Sequence, residues 1–282
     1  GWGGAIFYDL NGVASGTFNL TSASGGDPIL FQNNAHNPGG ANPLPNSIYF
    51  GNTATNAVDT AVPVNVTMSA ADGASFKILD PMGSQADDFA ANSYNNVIVN
   101  ISKVGSGTWV LAGHNDMRGA GAWSIDQGVL QLIGGTFGDG ATGVGNDPTA
   151  VAHIDLSHSG SSFTLKSGAG LAITPGAGPH QITAASIALE NGSIVALADS
   201  QDALGGEFLT KGKTYTVLKL NSPNLTNNSS LGATSGTVQI GDMIYKYSKL
   251  AWNAALNELS VFINGGRPVP PPGTPDSVQS AL

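Results

Sequence analysis

His153, Asp155 and Ser157 alternate along the run His153-Ile154-Asp155-Leu156-Ser157-His158 and together hold the residue types of a nucleophilic triad. On a strand all three would share one face. Alternate strand residues stand ~6.6 Å apart, however, whereas a triad needs hydrogen bonds of ~2.6–3.2 Å. No G-x-S-x-G elbow accompanies them. The run is expected to be a polar strand face with Ile154 and Leu156 turned inward. Asp80, Asp87 and Asp88 form the densest carboxylate group, beside a Pro81-Met82-Gly83 turn. Clustered carboxylates in a groove can work as acid and base on a glycosidic bond, or hold calcium. Calcium takes about six to eight oxygens, more than three aspartates supply. A polysaccharide lyase would also need a basic residue, and Lys77 is the one nearby candidate. The competing expectation is a loop whose aspartates cap turns.

Gly143-Val144-Gly145-Asn146-Asp147 matches part of the calcium-binding G-G-x-G-x-D-x-U-x repeat, and Gly138-Asp139-Gly140 matches it more loosely. Such sites share each ion between tandem copies, so a single copy followed by Pro148 reads as a glycine loop. Trp109 and Trp123 could stack on sugar rings if exposed, but Trp is usually largely buried. Both are assigned to the core. The five His show no H-E-x-x-H or comparable spacing, and no glycine run forms a phosphate loop. No metal and no cofactor is expected, and catalysis is carried only by the alternative built on Asp80, Asp87 and Asp88.

Whatever positions these residues must be built from an unusual composition. The chain has 282 residues with 39 Gly, 15 Pro and no Cys, and only 10% are charged. Soluble domains average roughly 25% charged residues, so Asn, Ser, Thr and Gly must make the surface polar. Exposed helix faces would need Glu, Lys and Arg, and their scarcity argues for an all-β chain with Gly and Asn at the turns. Disulfides and thiolate metal sites are excluded. Ten basic against nineteen acidic residues give a net charge of -9, which disfavours nucleic acid, because phosphate contacts need Lys or Arg. No apolar run reaches the ~18 residues of a membrane helix. The start at Gly1, without Met or a signal peptide, reads as a mature or excised fragment.

Short alternating runs recur from end to end. They are Ser47 to Phe50, Val62 to Met68, Ser75 to Leu79, Asn96 to Ile101, Thr108 to Leu111, Gly128 to Ile133, Ala152 to Leu156 and Ser162 to Leu165. Ala184 to Leu189, Ser193 to Leu197, Thr214 to Leu220, Thr237 to Ile240 and Glu258 to Ile263 follow. Many are spaced by about ten or twenty residues, as in a sandwich, barrel or solenoid. Two features favour the solenoid. No linker divides the chain into pieces of ~100 residues, the size of an Ig-like sandwich. A glycine followed by alternating apolar residues also recurs, at Gly128-Val129-Leu130, Gly168 to Ile173 and Gly192 to Leu197. Coils of roughly 20–25 residues would make about a dozen levels, a rod on the order of 55 Å long. The stretch Gly265 to Pro275 is expected not to pair as a strand, because Pro donates no hydrogen bond, and Asp276 to Leu282 could begin a helix.

Several of these residues resemble a known family. Gly3-Gly4-Ala5-Ile6 followed by Phe31-Gln32-Asn33-Asn34 is similar to the paired GGAI and FxxN motifs of the chlamydial polymorphic membrane proteins, which are type V autotransporter passengers. Asn46 to Phe50 and Ala74 to Met82 resemble the end of that repeat region. Val104 to Gly113, continuing through Asn115, Gly119 and Trp123 to Asp126-Gln127-Gly128-Val129-Leu130, resembles a passenger-associated repeat. Met243 to Tyr247, then Trp252, Leu259 and Val261, is similar to the last passenger strands before the translocator. The likeness covers most of residues 3–264 with gaps, and the chain carries one GGAI and one FxxN where the family has many.

The resemblance implies a right-handed parallel β-helix, with coils over residues 1–213, a C-terminal cap over 214–264 and a Pro-rich tail over 265–282 leading to a β-barrel. It implies an extracellular protein on the bacterial surface, tethered to the outer membrane and preceded by further passenger. The expected work is non-enzymatic: adhesion to host-cell glycans or proteins, self-association, or a stalk. The aromatic C-terminal strands, with Tyr215, Tyr245, Tyr247, Trp252 and Phe262, would suit a folding seed or an end cap.

Overall fold

A computed structural model describes residues 6–10, 13–24, 29–32, 35–36, 44–45, 47–51, 62–84, 97–117, 121–135, 151–156, 160–204 and 209–270. Every regular element among them is a β-strand. The chain visits three sheets in rotation. The first level is β1 (Ile6–Asp9), β2 (Gly16–Ser22) and β3 (Ile29–Phe31). A small hairpin, β4 (Ala35–His36) and β5 (Leu44–Pro45), precedes the second level of β6 (Ile48–Gly51), β7 (Val62–Ala70) and β8 (Ser75–Ile78). The third and fourth are β9 (Gly83–Ser84), β10 (Val97–Val104), β11 (Thr108–Leu111), then β12 (His114–Asp116), β13 (Ala122–Ile125), β14 (Val129–Leu132). The fifth and sixth are β15 (His153–Leu156), β16 (Ser162–Leu165), β17 (Gly170–Ile173), then β18 (His180–Ala184), β19 (Ser186–Leu189), β20 (Ile194–Leu197). The seventh is β21 (Lys213–Asn221), β22 (Asn224–Asn227) and β23 (Ser230–Leu231).

Each strand pairs in parallel with its counterpart one level away, so the first, second and third strands of the levels build three separate sheets. The register stacks like on like. In the second sheet Phe18, Val66, Ile101, Trp123, Phe163, Ile187 and Leu225 form one inward row. In the third sheet Ile29, Phe76, Trp109, Leu130, Leu171, Val195 and Leu231 form another. These rows join one continuous apolar core. Period-two alternation is the cause: a strand whose odd residues are apolar can bury only that side.

Levels differ in length. The turns from Ile101 to Trp123 and from Phe163 to Ile187 are short, whereas those from Trp123 to Phe163 and from Ile187 to Leu225 are far longer. Seven levels therefore stand where a short, uniform coil leads one to expect about a dozen. The extra chain lies between third-sheet and first-sheet strands, in the connections from β14 to β15 and from β20 to β21. At ~4.8 Å per level the described stack is about 30 Å tall.

The corner from the second sheet into the third stays short at every level from the second on, with two to four residues. Gly73, Gly105, Gly128, Gly168 and Gly192 all take positive φ there. These include the glycines of the recurrent sequence pattern, Gly128, Gly168 and Gly192. Gly128 is the most confined: a Cβ would overlap Gly105 O, Gly107 O and Lys103 Nζ, whereas one on Gly73 would meet nothing within 4 Å.

After the seventh level the chain turns to hairpins. β24 (Gly236–Ile240), β25 (Met243–Asn253) and β26 (Glu258–Pro268) run antiparallel and extend the first sheet in the order β21-β26-β25-β24. Contrary to the expectation for the Pro-rich stretch, Gly265, Gly266, Arg267 and Pro268 lie in β26, opposite Lys246, Tyr245, Ile244 and Met243. Pro268 is tolerated because β26 beyond Ile263 pairs on one side only, with β25, and so is an edge there. Gly266 leaves room for the Tyr245 ring, which a Cβ would overlap. Residues 271–282 lie outside the described set.

Gly128→Ala is expected to lower unfolding stability by about 3 kcal/mol or more, because it combines overlap with a left-handed backbone. Gly73→Ala, which has only the backbone term, should cost about 1–2 kcal/mol. Denaturant melts of the two variants measure the difference.

Candidate functional site

Of the carboxylate group and its basic neighbour, the structure places Asp80 and Lys77, and it places them apart. Asp80 is wholly buried at the corner between the third and first sheets, where its carbonyl accepts a hydrogen bond from Ser47 Oγ at 2.7 Å. It does not stand on an open groove, because the chain at Ser47 closes over it, with Ser47 N donating to Pro81 O at 2.8 Å. Asp87 and Asp88 lie outside the described residues. Lys77 does not face Asp80. It stands on the outer side of β8 and forms an ion pair with Asp202 at 2.7 Å, 125 residues further on.

That ion pair belongs to a strap. After β20 the chain runs back along the outer face of the third sheet. Gln131 Nε2 donates to Asp199 O at 2.8 Å and to Thr174 Oγ1 at 2.9 Å. Thr174 Oγ1 donates to Ala198 O at 2.7 Å, and Leu204 N to Gly134 O at 3.2 Å. Alternation turns Val110, Gln131 and Ala172 outward, yet all three are buried. Both members of the Lys77–Asp202 pair are about one-third exposed, so the pair adds at most about 1 kcal/mol and mainly fixes where the strap lies.

His153 and Asp155 sit on the outer face of the first sheet, with Ile154 and Leu156 fully buried behind them, as the alternation requires. Ser157 lies outside the described residues. The neighbours of His153 come from the adjacent level: its ring meets His114 edge-on at 4.9 Å, and His114 Nε2 lies 3.7 Å from Asp155 Oδ2. Burial and the His114 ring hold His153 below the ordinary imidazole range, opposed by Asp155. Among the described residues no group of three His, Asp or Glu is arranged to hold a metal ion. Residues 138–147, with both glycine-rich calcium matches, are outside the described set. Trp109 and Trp123 are fully buried and stack at 5.6 Å, tilted by 31°, inside the core. They offer no platform to a sugar.

Three buried polar residues hold structural roles that their sequence context did not announce as such. Lys103 occupies an inward row between Met68 and Ile125. Its Nζ donates to Gly105 O and Gly107 O at 2.6 Å and to Gln127 O at 2.8 Å, which ties the corner of one level to the next. Burial lowers its pKa to about 8. The signal was present: the alternation that turns Val97, Val99 and Ile101 inward turns Lys103 inward as well. Asn115 likewise joins three levels. Its Oδ1 accepts from Met82 N at 2.8 Å, and its Nδ2 donates to Ala112 O, Gly113 O and His153 O at 3.0–3.1 Å. His180 is fully buried, with Nδ1 accepting from Ala152 N at 3.0 Å and Nε2 donating to Thr174 O at 2.8 Å. Burial lowers its pKa to about 4, so the ring stays neutral.

The three outer faces differ in chemistry. The first sheet carries His114, His153, Asp155 and Lys219, the last paired with Glu258 at 2.8 Å. The third is crossed by the strap. The second presents Thr, Ser and Asn in register, as in the row Asn19, Thr67, Ser102, Ser124, Thr164, Ala188, Thr226. Asn100 Nδ2 donates to Asn65 Oδ1 at 3.1 Å along the neighbouring row. The chain matches no protein-family model, no curated protein and no solved structure.

The two largest shifts, at His180 and Lys103, act at opposite ends of the pH range. His180 takes its proton at about 4 when folded, against its ordinary 6.5. The unfolded chain therefore binds the proton first, and stability falls as pH drops from 6.5 toward 4. Lys103 releases its proton at about 8 when folded, against 10.5. The unfolded chain holds it longer, so stability rises between about pH 8 and 10.5. Denaturant midpoints across pH should show both slopes. His180→Gln should make the acid limb shallower, leaving the share of His153, and Lys103→Met should make the alkaline limb shallower, whatever the absolute stability of each variant.

Proposed function

We propose that this chain is a length of a type V autotransporter passenger, folded as a right-handed parallel β-helix and displayed outside the bacterial cell. On this reading it works as a non-enzymatic scaffold, adhesin or stalk. The observation that carries the reading is the rotation of the chain through three parallel sheets with like side chains stacked level on level. A solenoid of that kind makes only neighbour contacts, so it can assemble one level at a time. Stepwise assembly is what a chain threaded unfolded through an outer membrane requires. The antiparallel hairpins at the C-terminal end fit the part of a seed and cap, because they fold on local pairing and bring Tyr245, Tyr247 and Val261 into the core.

Among the described residues, Asp80, Lys77, Trp109 and Trp123 are engaged structurally, which supports a scaffold over a carbohydrate-active enzyme. Asp80 is enclosed, Lys77 anchors the strap, and Trp109 and Trp123 fill the core. Host-surface glycans or proteins are the partners such a passenger would meet.

Two measurements test this reading. Protease added to intact source cells should remove the chain from the surface, and protection from protease would refute surface display. A panel of acidic and neutral polysaccharides, with and without calcium, should yield no released product. Release that disappears in Asp80→Asn or Asp87→Asn would make the protein an enzyme instead.

A further inference from the structure

We propose that the outer face of the C-terminal hairpins is a basic surface that docks against a membrane through its anionic lipid headgroups. The inference deepens the passenger reading by giving the cap a partner, and it rests on that reading only for a membrane being near. Its first support is the division of charge along the chain. Residues 1–204 hold four basic and fifteen acidic residues, whereas residues 205–282 hold six basic and four acidic ones. The six are Lys211, Lys213, Lys219, Lys246, Lys249 and Arg267. In a chain of net charge -9, the segment that carries the hairpins thus has the opposite sign.

The second support is placement. Tyr245 and Tyr247 of β25 and Ile263 of β26 are buried on the inner side. Alternation therefore puts Lys246 on the outer side, and Arg267 with it, opposite Ile244. Lys249 departs from the alternation. It follows Ser248, which lies on the outer side opposite Phe262, so a regular strand would turn it inward. A bulge between Ser248 and Ala251 gives the inward place to Leu250, and Lys249 takes a φ of 56° and stays exposed. Its Nζ lies 5.4 Å from the centre of the Phe262 ring. Bulges re-aim side chains in this way.

The third support is that these charges are not neutralised. Lys219 is paired with Glu258 at 2.8 Å. Lys211, Lys213, Lys246, Lys249 and Arg267 make no ion pair, and the four lysines are exposed. Within residues 209–270, Asp242 is the remaining carboxylate. Lysine is a point charge on a flexible stem, which suits a fluid layer of phosphates. A lipid surface can meet the hairpins alone, whereas a long soluble polyanion would run on into the acidic levels. At about 0.1 M salt charges act over only ~10 Å, so the hairpins sense the surface and the more distant levels do not.

Cosedimentation with vesicles of phosphatidylcholine and phosphatidylglycerol in equal parts tests the inference. At about 0.1 M salt wild type should bind these vesicles and not pure phosphatidylcholine, and ~1 M salt should release it. Lys246→Gln with Lys249→Gln should weaken binding about 25-fold, at about fivefold for each lysine near an anionic surface. Lys166→Gln, on the coils, should leave it unchanged. Circular dichroism checks folding, and should the double variant fail to fold, Lys246→Glu alone removes two units of charge and should have the same effect. Equal binding to neutral vesicles, binding indifferent to the lysine variants, or retention on heparin without vesicle binding would each overturn the proposal, the last by assigning the face to an anionic polysaccharide. None of those results would bear on surface display, which is read by protease accessibility.

Discussion

Everything in this fold depends on closing the corner between the second and third sheets in the same way at each level. The chain has two to four residues in which to reverse toward the next sheet, and the corner above sits directly on the corner below. Gly107 N donates to Ala70 O, Val129 N to Gly107 O and Gly170 N to Gly128 O, so the parallel ladder continues around the bend. A side chain at Gly128 would enter that contact. Lys103 is the counterpart of this close approach. Corner carbonyls of two levels point into a space that apolar side chains line, and a cation with three donors satisfies them together. Burying it is unfavourable, as its lowered pKa records, but leaving three carbonyls without donors would also be costly.

How much of this was legible follows from the range over which each signal acts. Alternation is local, so the inward sides of Val62 to Met68, Ser162 to Leu165 and Ala152 to Leu156 could be read directly, as could the core positions of Trp109 and Trp123. The glycines at 128, 168 and 192 were visible as a recurrent pattern because the same corner geometry is imposed each time. Strands such as Ala122–Ile125 and His180–Ala184 were less visible, because four or five residues with one or two large apolar members resemble ordinary loop sequence. Pairing partners were not legible. Lys77 meets Asp202 only because the chain doubles back outside the third sheet, and nothing local to either residue announces that path.

Of the candidate residues, Asp80, Lys77, His153 and Asp155 can be placed, and it was their neighbours that local sequence did not reveal. Asp80 belongs to a carboxylate-rich stretch, but residues 79–82 form the tight passage from the third sheet to the first, and Ser47 of the preceding level seals it. His153 and Asp155 were correctly placed on one strand face, but the group that bears on both, His114, is distant in sequence and one level away in space. In a stack of levels the chemically relevant neighbour is the residue one turn away. Turns whose length changes from one level to the next hide that neighbour from any fixed spacing rule.

The unequal turns also explain why the faces diverge. Loop closure entropy grows slowly with length, so a long excursion adds little cost wherever the ladder can restart beyond it. The corner between second and third sheets cannot host one, because each corner supports the next through the bonds around Gly107 and Gly128. The connections that border the first sheet are free of that demand, and the long ones lie there: between β14 and β15, between β20 and β21, and between β6 and β7. One excursion returns as the strap that covers the third sheet. The first sheet takes on charged and imidazole groups between its bordering loops, and the second sheet keeps a regular, neutral lattice. The constraint that builds the core thereby leaves the second sheet as the most uniform of the three faces.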